Sequence, residues 1–314
     1  MKPIKYLSKS EGLLYLKDVG VNIPVTYIGI ENLTSYLEEE LNQYIKEDSS
    51  WIIRFDASSE IRFLLEGGKV HGSNLIENIK HIIQLNEPYK GRFSMILQYC
   101  LNSSIEGVAK LLTDGRILIE TERNKNSHFI RDGGIPYRYI VGPSNYQVQH
   151  PKLTSRNIED IHSELIKVGK DFVVEWIITT NDEVFFTDAK RVPISFLGNI
   201  ENSQIIIVKE GIARGVINDV SITNNKMEEP HILYIRKTSI EYLPFINDYT
   251  QGIIFENGGL LSHCIVYQST KNIPIILGVS LDMVHDIKRQ EVYMELDIIN
   301  NKYIINTSVK ETSG

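Results

Sequence analysis

Between Gly252 and Gly278 a short apolar run, a glycine pair, a helix-length segment and a second apolar run follow in that order, which leaves little choice of local fold. Gly252 to Phe255 reads as a short buried strand and Gly258-Gly259 as a tight turn. Leu261 to about Ser269 has the length of a helix, and Ile273 to Leu277 reads as a second buried strand. Strand, turn, helix and strand make a βαβ unit. His263 then falls on the first turn of the helix, directly after Ser262, a residue suited to cap it. Free backbone N–H groups and the helix dipole favour an anion there, so this imidazole is placed to carry a phosphoryl group.

At 314 residues the chain is too long for one typical small domain, and two are expected. Its 42% hydrophobic and 23% charged residues describe an ordinary globular protein. A net charge of -7 argues against broad binding to nucleic acid or anionic membrane, leaving room only for a local basic pocket. Two cysteines, Cys100 and Cys264, make no disulfide framework, which fits a reducing, cytoplasmic setting. The opening Met-Lys-Pro-Ile-Lys-Tyr lacks the apolar stretch of a signal peptide, and no run approaches the ~20 apolar residues of a membrane span.

The first half mixes signals. Leu13 to Val19 and Leu33 to Ile45 have helical spacing, whereas 51–54, 94–99 and 116–120 read as strands. Residues 122–152 are polar and rich in Gly, Pro, Asn and Arg, and read as extended segments and loops. Asn157 to Val168 is helical, and a hairpin runs from about Phe172 to Ala189. Residues 193–203 form the candidate linker, and from Gln204 onward short β-rich runs recur.

In the hairpin, a two-residue loop at Asn181-Asp182 pairs Thr180 with Glu183 and, by continuation, Glu175 with Asp188. Both carboxylates then share a face, about 5 Å apart at Cβ. Facing carboxylates repel unless a cation lies between or beside them, and Mg²⁺ suits such a pair together with phosphate oxygens and waters. A register slip that sends one carboxylate to solvent is the competing reading.

The unit from Glu256 through His263 to Gly278 resembles the swivelling phosphohistidine domain of phosphoenolpyruvate synthase and pyruvate phosphate dikinase. The hairpin is similar to the end of the ATP-grasp domain in the same families, where a Glu-Trp strand leads to a second metal ligand in Leu-Gln-x-Arg-Pro. Glu175-Trp176 matches, while Asp188 stands for the amide ligand and Lys190 for the arginine. The segment around Lys9 resembles the opening Gly-Gly-Lys, which makes Lys9 a candidate phosphate contact beside its plain reading as a solvated lysine. Arg54 matches a Val-Arg-Ser-Ser-Ala segment, but Phe55-Asp56 displaces the two serines. The stretch from Ser94 to Gly107, with Gln98, resembles Val-Gln-x-Met-Val leading to Gly-Val, and Glu120 corresponds to the family's Ile-Glu strand as a ribose or metal ligand, or a rim charge. Leu261 replaces a threonine and Ser269 a helix arginine.

The resemblance implies two domains of mixed α/β and α+β class: an ATP-grasp-like nucleotide-binding domain over 1–195 and a β/α phosphohistidine swivel domain over 204–308. It implies an ATP-dependent phosphotransferase of the dikinase type with His263 as nucleophile on a loop that includes Gly258, Gly259 and Ser262. Glu175 and Asp188 would hold Mg²⁺, and Lys9, Arg54, Gln98, Glu120 and Lys190 would contact ATP. The larger relatives carry a third, acceptor-binding domain for which this chain has no room. The acceptor is therefore expected to be a small molecule or to sit on a separate protein. A non-catalytic nucleotide-binding module is the competing class, with the departures at residues 55, 56, 188 and 190 in its favour.

Overall fold

The computed structural model describes residues 8–30, 34–43, 49–57, 61, 64–122, 129–142, 145–146, 148, 150–192, 205–220, 226–269, 271–285, 291–297, 299–300 and 302–307. The candidate linker at 193–203 lies outside them.

Along the chain run α1 (Lys9–Asp18), β1 (Thr26–Ile30), α2 (Ser35–Asn42), β2 (Ser50–Ala57), β3 (Gly68–His71), α3 (Leu75–Leu85), β4 (Phe93–Cys100), β5 (Ser103–Leu111), β6 (Ile117–Thr121), α4 (Phe129–Asp132), β7 (Tyr137–Val141) and α5 (Ser155–Val168). There follow β8 (Phe172–Thr179), β9 (Val184–Arg191), β10 (Ile206–Lys209), β11 (Gly211–Asp219), β12 (His231–Lys237), β13 (Thr250–Asn257), α6 (His263–Gln268), β14 (Ile275–Leu277), α7 (Leu281–His285), β15 (Glu291–Asp297) and β16 (Lys302–Thr307). The chain is mixed α/β, as expected. It forms two compact units, one of Met1–Ser104 with Val174–Arg191 and one of Ile105–Val173 with Val192–Gly314.

In the first unit a four-stranded sheet has the order β1-β4-β2-β3. Side chains alternate along β2, so Trp51, Ile53 and Phe55 join the core with Met95 and Leu97 of β4, Leu41 of α2, and Leu75 and Ile79 of α3. Spacings of three and four residues among Leu75, Ile76, Ile79, Ile82 and Ile83 give α3 the apolar stripe that this sheet face covers. The opposite alternation puts Ile52, Arg54 and Asp56 on the other face, with Ile52 opposite Gln98 in register.

In the second unit a seven-stranded sheet has the order β10-β14-β13-β12-β11-β15-β16. β11, β12, β13 and β14 run parallel, and β10, β15 and β16 are antiparallel to their neighbours. One face buries Leu233, Ile235, Ile253, Phe255 and Ile275 under Cys264 and Ile265 of α6. The other buries Ile232, Tyr234, Ile254 and Ile276 with Val284 of α7 and Met294 of β15. Burial on both faces explains why these strands read as unbroken apolar runs in the sequence. The β13–α6–β14 unit is the βαβ inferred above, with Ile253 beside Ile275 in parallel register.

β5, β6 and β7 form an antiparallel meander. Val108 of β5 and Leu118 of β6 join the same core cluster as α6. The stretch expected to be extended segments and loops contains an extended strand, β7, and beyond that expectation a short helix, α4.

Candidate active site

Six of the residues singled out from sequence lie in the first unit. α1 begins at a full capping box, in which Ser8 accepts from the Glu11 N–H and the Glu11 carboxylate accepts from the Ser8 N–H at 2.7 Å. The cap fixes the first turn and with it Lys9. Lys9 Nζ lies 2.7 Å from Asp188 Oδ2 on β9, and Lys190 Nζ lies 3.0 Å from Glu175 Oε1 and 3.6 Å from the same Asp188 oxygen. The cations that neutralise the two carboxylates here are therefore lysines of the chain itself. Arg54 Nη1 donates to Gln98 Oε1 at 3.4 Å, and the Gln98 amide donates to Thr26 Oγ1 and to the Thr187 carbonyl. Burial pulls the Lys9 ammonium below its usual range; Arg54 and Lys190 act in the same direction, against Asp188 and Glu175.

The hairpin turn differs from the expected one. Thr179 N–H bonds the Glu183 carbonyl at 2.9 Å, which makes a three-residue loop of Thr180, Asn181 and Asp182, the last with φ of 62°. That is one residue longer than the two-residue loop read from the sequence. Asparagine and aspartate tolerate the left-handed region that a glycine would otherwise supply, so both loop lengths suit this sequence. Thr187 Oγ1 in turn donates to the Glu175 carbonyl at 3.4 Å.

Asp188 is fully buried, and its Oδ1 meets no hydrogen-bond partner among the described residues. A buried, orphaned carboxylate oxygen beside a second carboxylate fits a hard cation that takes one or two carboxylates with phosphate oxygens and waters. Among the described residues no group of three or more His, Cys, Asp or Glu is gathered for a metal. The donor set therefore suits Mg²⁺ arriving with phosphates rather than an all-protein cage.

Asp56, which with Phe55 takes the place of two serines in the families the sequence resembles, accepts the Ser10 N–H through Oδ2 at 3.2 Å. Nothing in the sequence around Ser10 signalled that contact.

Glu120 and the His263 loop lie in the second unit. Ser262 caps α6, its backbone extended (φ -62°, ψ 153°) and its side chain accepting from the Ile265 N–H. His263 opens the helix and is partly exposed, while Ser262 and Cys264 are buried. Before it, Gly258 has φ of 132°, and a Cβ there would come within 2.1 Å of Thr238 Oγ1, so both conformation and space require glycine. The Gly259 N–H donates to Thr238 Oγ1 at 3.1 Å. The Leu260 and Leu261 N–H groups donate to Glu120 Oε1 and Oε2, each at 2.8 Å. Arg138 completes the arrangement, with Nε 2.7 Å from Glu120 Oε1 and Nη2 3.2 Å from the Gly258 carbonyl. The amides of Gly259, Leu260 and Leu261 are thus engaged by the protein. Arg138 and Thr238 were not picked out from sequence, although the Tyr-Arg-Tyr alternation of β7 marks a strand with Arg138 on the face opposite its tyrosines. Burial pushes the Cys264 thiol up to about 12, so beside His263 it is an inert packing group.

No curated protein matches the chain. Solved structures that resemble it include the macrocyclase MdnC bound with precursor peptide MdnA from Microcystis aeruginosa MRC, at 12% identity and TM-score 0.35, over 58% of this chain and 51% of that one. D-alanine–D-alanine ligase from Bacillus anthracis complexed with ATP matches at 10% identity and TM-score 0.38, over 60% and 55%. N5-carboxyaminoimidazole synthase from Aspergillus clavatus, in complex with ADP and its ribonucleotide, matches at 14% identity and TM-score 0.40, over 63% and 48%. The chain spans about half the length of these structures, and the likeness is loose. Residues 227–297, the stretch from before β12 to the end of β15 and including the His263 loop, match the family model of the PEP-utilising enzyme mobile domain.

Proposed function

We propose that the chain is an ATP-dependent phosphotransferase that works through a phosphohistidine at His263. The mobile-domain match over residues 227–297 carries this reading, because His263 follows the capped glycine turn inside it. The carboxylate pair held by Lys9 and Lys190, with Asp188 Oδ1 buried and without a partner among the described residues, supports a nucleotide site in the first unit.

In this mechanism the neutral imidazole of His263 attacks the β-phosphorus of ATP. An N–P bond forms, the bond from the β-phosphorus to the oxygen bridging to the α-phosphorus breaks, and AMP leaves with that oxygen. Water then takes the terminal phosphoryl group as phosphate, and the group left on nitrogen passes to the acceptor, a small molecule or a separate protein. One difficult transfer becomes several easier ones. Glu175 and Asp188 would hold Mg²⁺, which when bound supplies charge neutralisation at the phosphate oxygens. Lys9, Arg54 and Lys190 add cations, and most of the catalysis is positioning and electrostatics. Movement of the unit that carries His263, with Glu120 and Arg138 in it, would let the histidine travel between stations.

The test is labelling with ATP carrying isotope at the β-phosphate. The wild type is expected to gain acid-labile, base-stable label and to form AMP, and His263→Ala to gain none. Label that persists in that variant overturns the assignment to His263.

A second reading, a non-catalytic nucleotide-binding module, is favoured by one observation, Asp56 on the Ser10 N–H at the first turn of α1. A negative charge there opposes a phosphate at the same amide. Nucleotide bound in calorimetry, with neither label nor AMP formed in the presence of acceptors, would select it.

A further inference from the structure

Glu120 is completely buried on β6, yet nothing in the strand pairing of the meander explains a charge there. Three polar contacts hold its carboxylate. Each carboxylate oxygen accepts one backbone N–H of the loop before His263, from Leu260 and Leu261, and Arg138 of the neighbouring strand β7 bonds Oε1. The guanidinium also reaches the Gly258 carbonyl, so one side chain ties the carboxylate to the start of the loop. From the other side Thr238 holds the Gly259 N–H. Glu120 and Arg138 stand directly opposite each other in the β6–β7 register, which fixes their separation by backbone rather than by rotamer.

We infer that Glu120 and Arg138 are positioning residues for the His263 nucleophile: the buried pair clamps Gly258 to Leu261 and so sets where the imidazole sits. This inference rests on the phosphohistidine reading for its catalytic consequence. It also gives Glu120 a different task from contacting ribose or metal, since both its oxygens are already engaged within the chain. A carboxylate is suited to the clamp because it presents two equivalent acceptors, one for each of two successive amides, whereas an amide side chain offers a single oxygen. Arginine is suited because its planar fork bonds Glu120 and the Gly258 carbonyl together, and a lysine ammonium does not reproduce that geometry.

Two variants of the full chain, Glu120→Gln and Arg138→Lys, test the clamp by two readouts. The first is amide hydrogen exchange of peptides covering residues 257–263, which does not depend on activity. Both variants should exchange faster there than the wild type, with the core strands β12 and β13 unchanged. The second is the rate of acid-labile labelling from β-labelled ATP, set beside ATP affinity by calorimetry. A displacement of about 1 Å at a reacting group costs about a hundredfold, so labelling should slow by about ten- to a hundredfold with affinity unchanged. Arg138→Lys keeps a cation beside Glu120 and guards against loss of folding in the other variant.

Exchange at 257–263 equal to the wild type in a folded variant overturns the clamp. Exchange raised there with labelling at the wild-type rate overturns its positioning role. If the wild type itself gains no label, the phosphotransfer reading fails instead, and the exchange readout still decides whether the clamp exists.

Discussion

Asp188 has Lys9 and Lys190 on one oxygen and, among the described residues, no hydrogen-bond partner on the other, at 1% exposure. Removing one member of a buried ion pair leaves the rest uncompensated, at a cost of about 3–5 kcal/mol. Asp188→Ala is therefore expected to lower stability by about 3 kcal/mol in urea denaturation at neutral pH, and to abolish Mg-dependent ATP binding in calorimetry. A variant as stable as the wild type, or one binding Mg-ATP normally, contradicts the site. Cys264 gives a second prediction at this scale. With its thiol held up to about 12 by burial, the native protein should leave it unalkylated by iodoacetamide at pH 8, and unfolding should expose it. The charged residues of the cluster around Asp188 could be singled out in the sequence as types suited to phosphate or metal. Their pairing could not, since Lys9 and Asp188 are 179 positions apart and no local pattern links them. For the same reason Glu120 was visible as an acid on a strand, but its partners at Leu260 and Leu261 were not.

The hairpin of β8 and β9 shows what an element reading reaches. Its strands follow from alternation and aromatic content, while its loop length turns on the backbone of Asp182 alone. Asp182→Val should cost about 1–3 kcal/mol, because a β-branched residue resists the left-handed region, and Asp182→Gly should not. Equal stability of the two variants in urea would refute the three-residue loop. In the β5–β6 pair, one step beyond Gly107 and Thr121 brings Glu106 opposite Glu122. Burial, with the Glu106 charge, pushes the Glu122 carboxyl up to about 7. A raised carboxyl favours the folded state when protonated, a contribution complete below about pH 4.5 and lost as pH rises through about 7. Glu122→Gln is thus expected to raise Tm at pH 8, by about 2–4 °C for roughly 1 kcal/mol after solvent screening, and to leave it unchanged at pH 4.5. A gain at low pH instead would contradict the shift. β1 and β3, short strands with mixed composition, were not read from the sequence, since only pairing with β4 and β2 makes them strands.

At the scale of the molecule, the mixed α/β class and the βαβ around His263 were legible because buried parallel strands leave unbroken apolar runs. The grouping of Ile105–Val173 with the C-terminal residues was not, because it depends on Val108, Leu112, Leu118 and Val173 joining a core with α6. If the first unit holds the nucleotide, Mg-ATP should slow hydrogen exchange in peptides covering the start of α1, β2 and β9. Protection confined to the second unit would move the nucleotide site. The shared core also bears on how this protein can be dissected. A fragment beginning near residue 204 would keep every residue of the loop before His263, yet lose Glu120, Arg138 and the aliphatic side chains of β5 and β6 that share a core with α6. Such a fragment is left with two unanswered amides shortly before His263 and a bare apolar patch, which favours self-association. Fragments meant to isolate the unit that contains His263 should therefore begin before β5, so that the strands sharing a core with α6 travel with it.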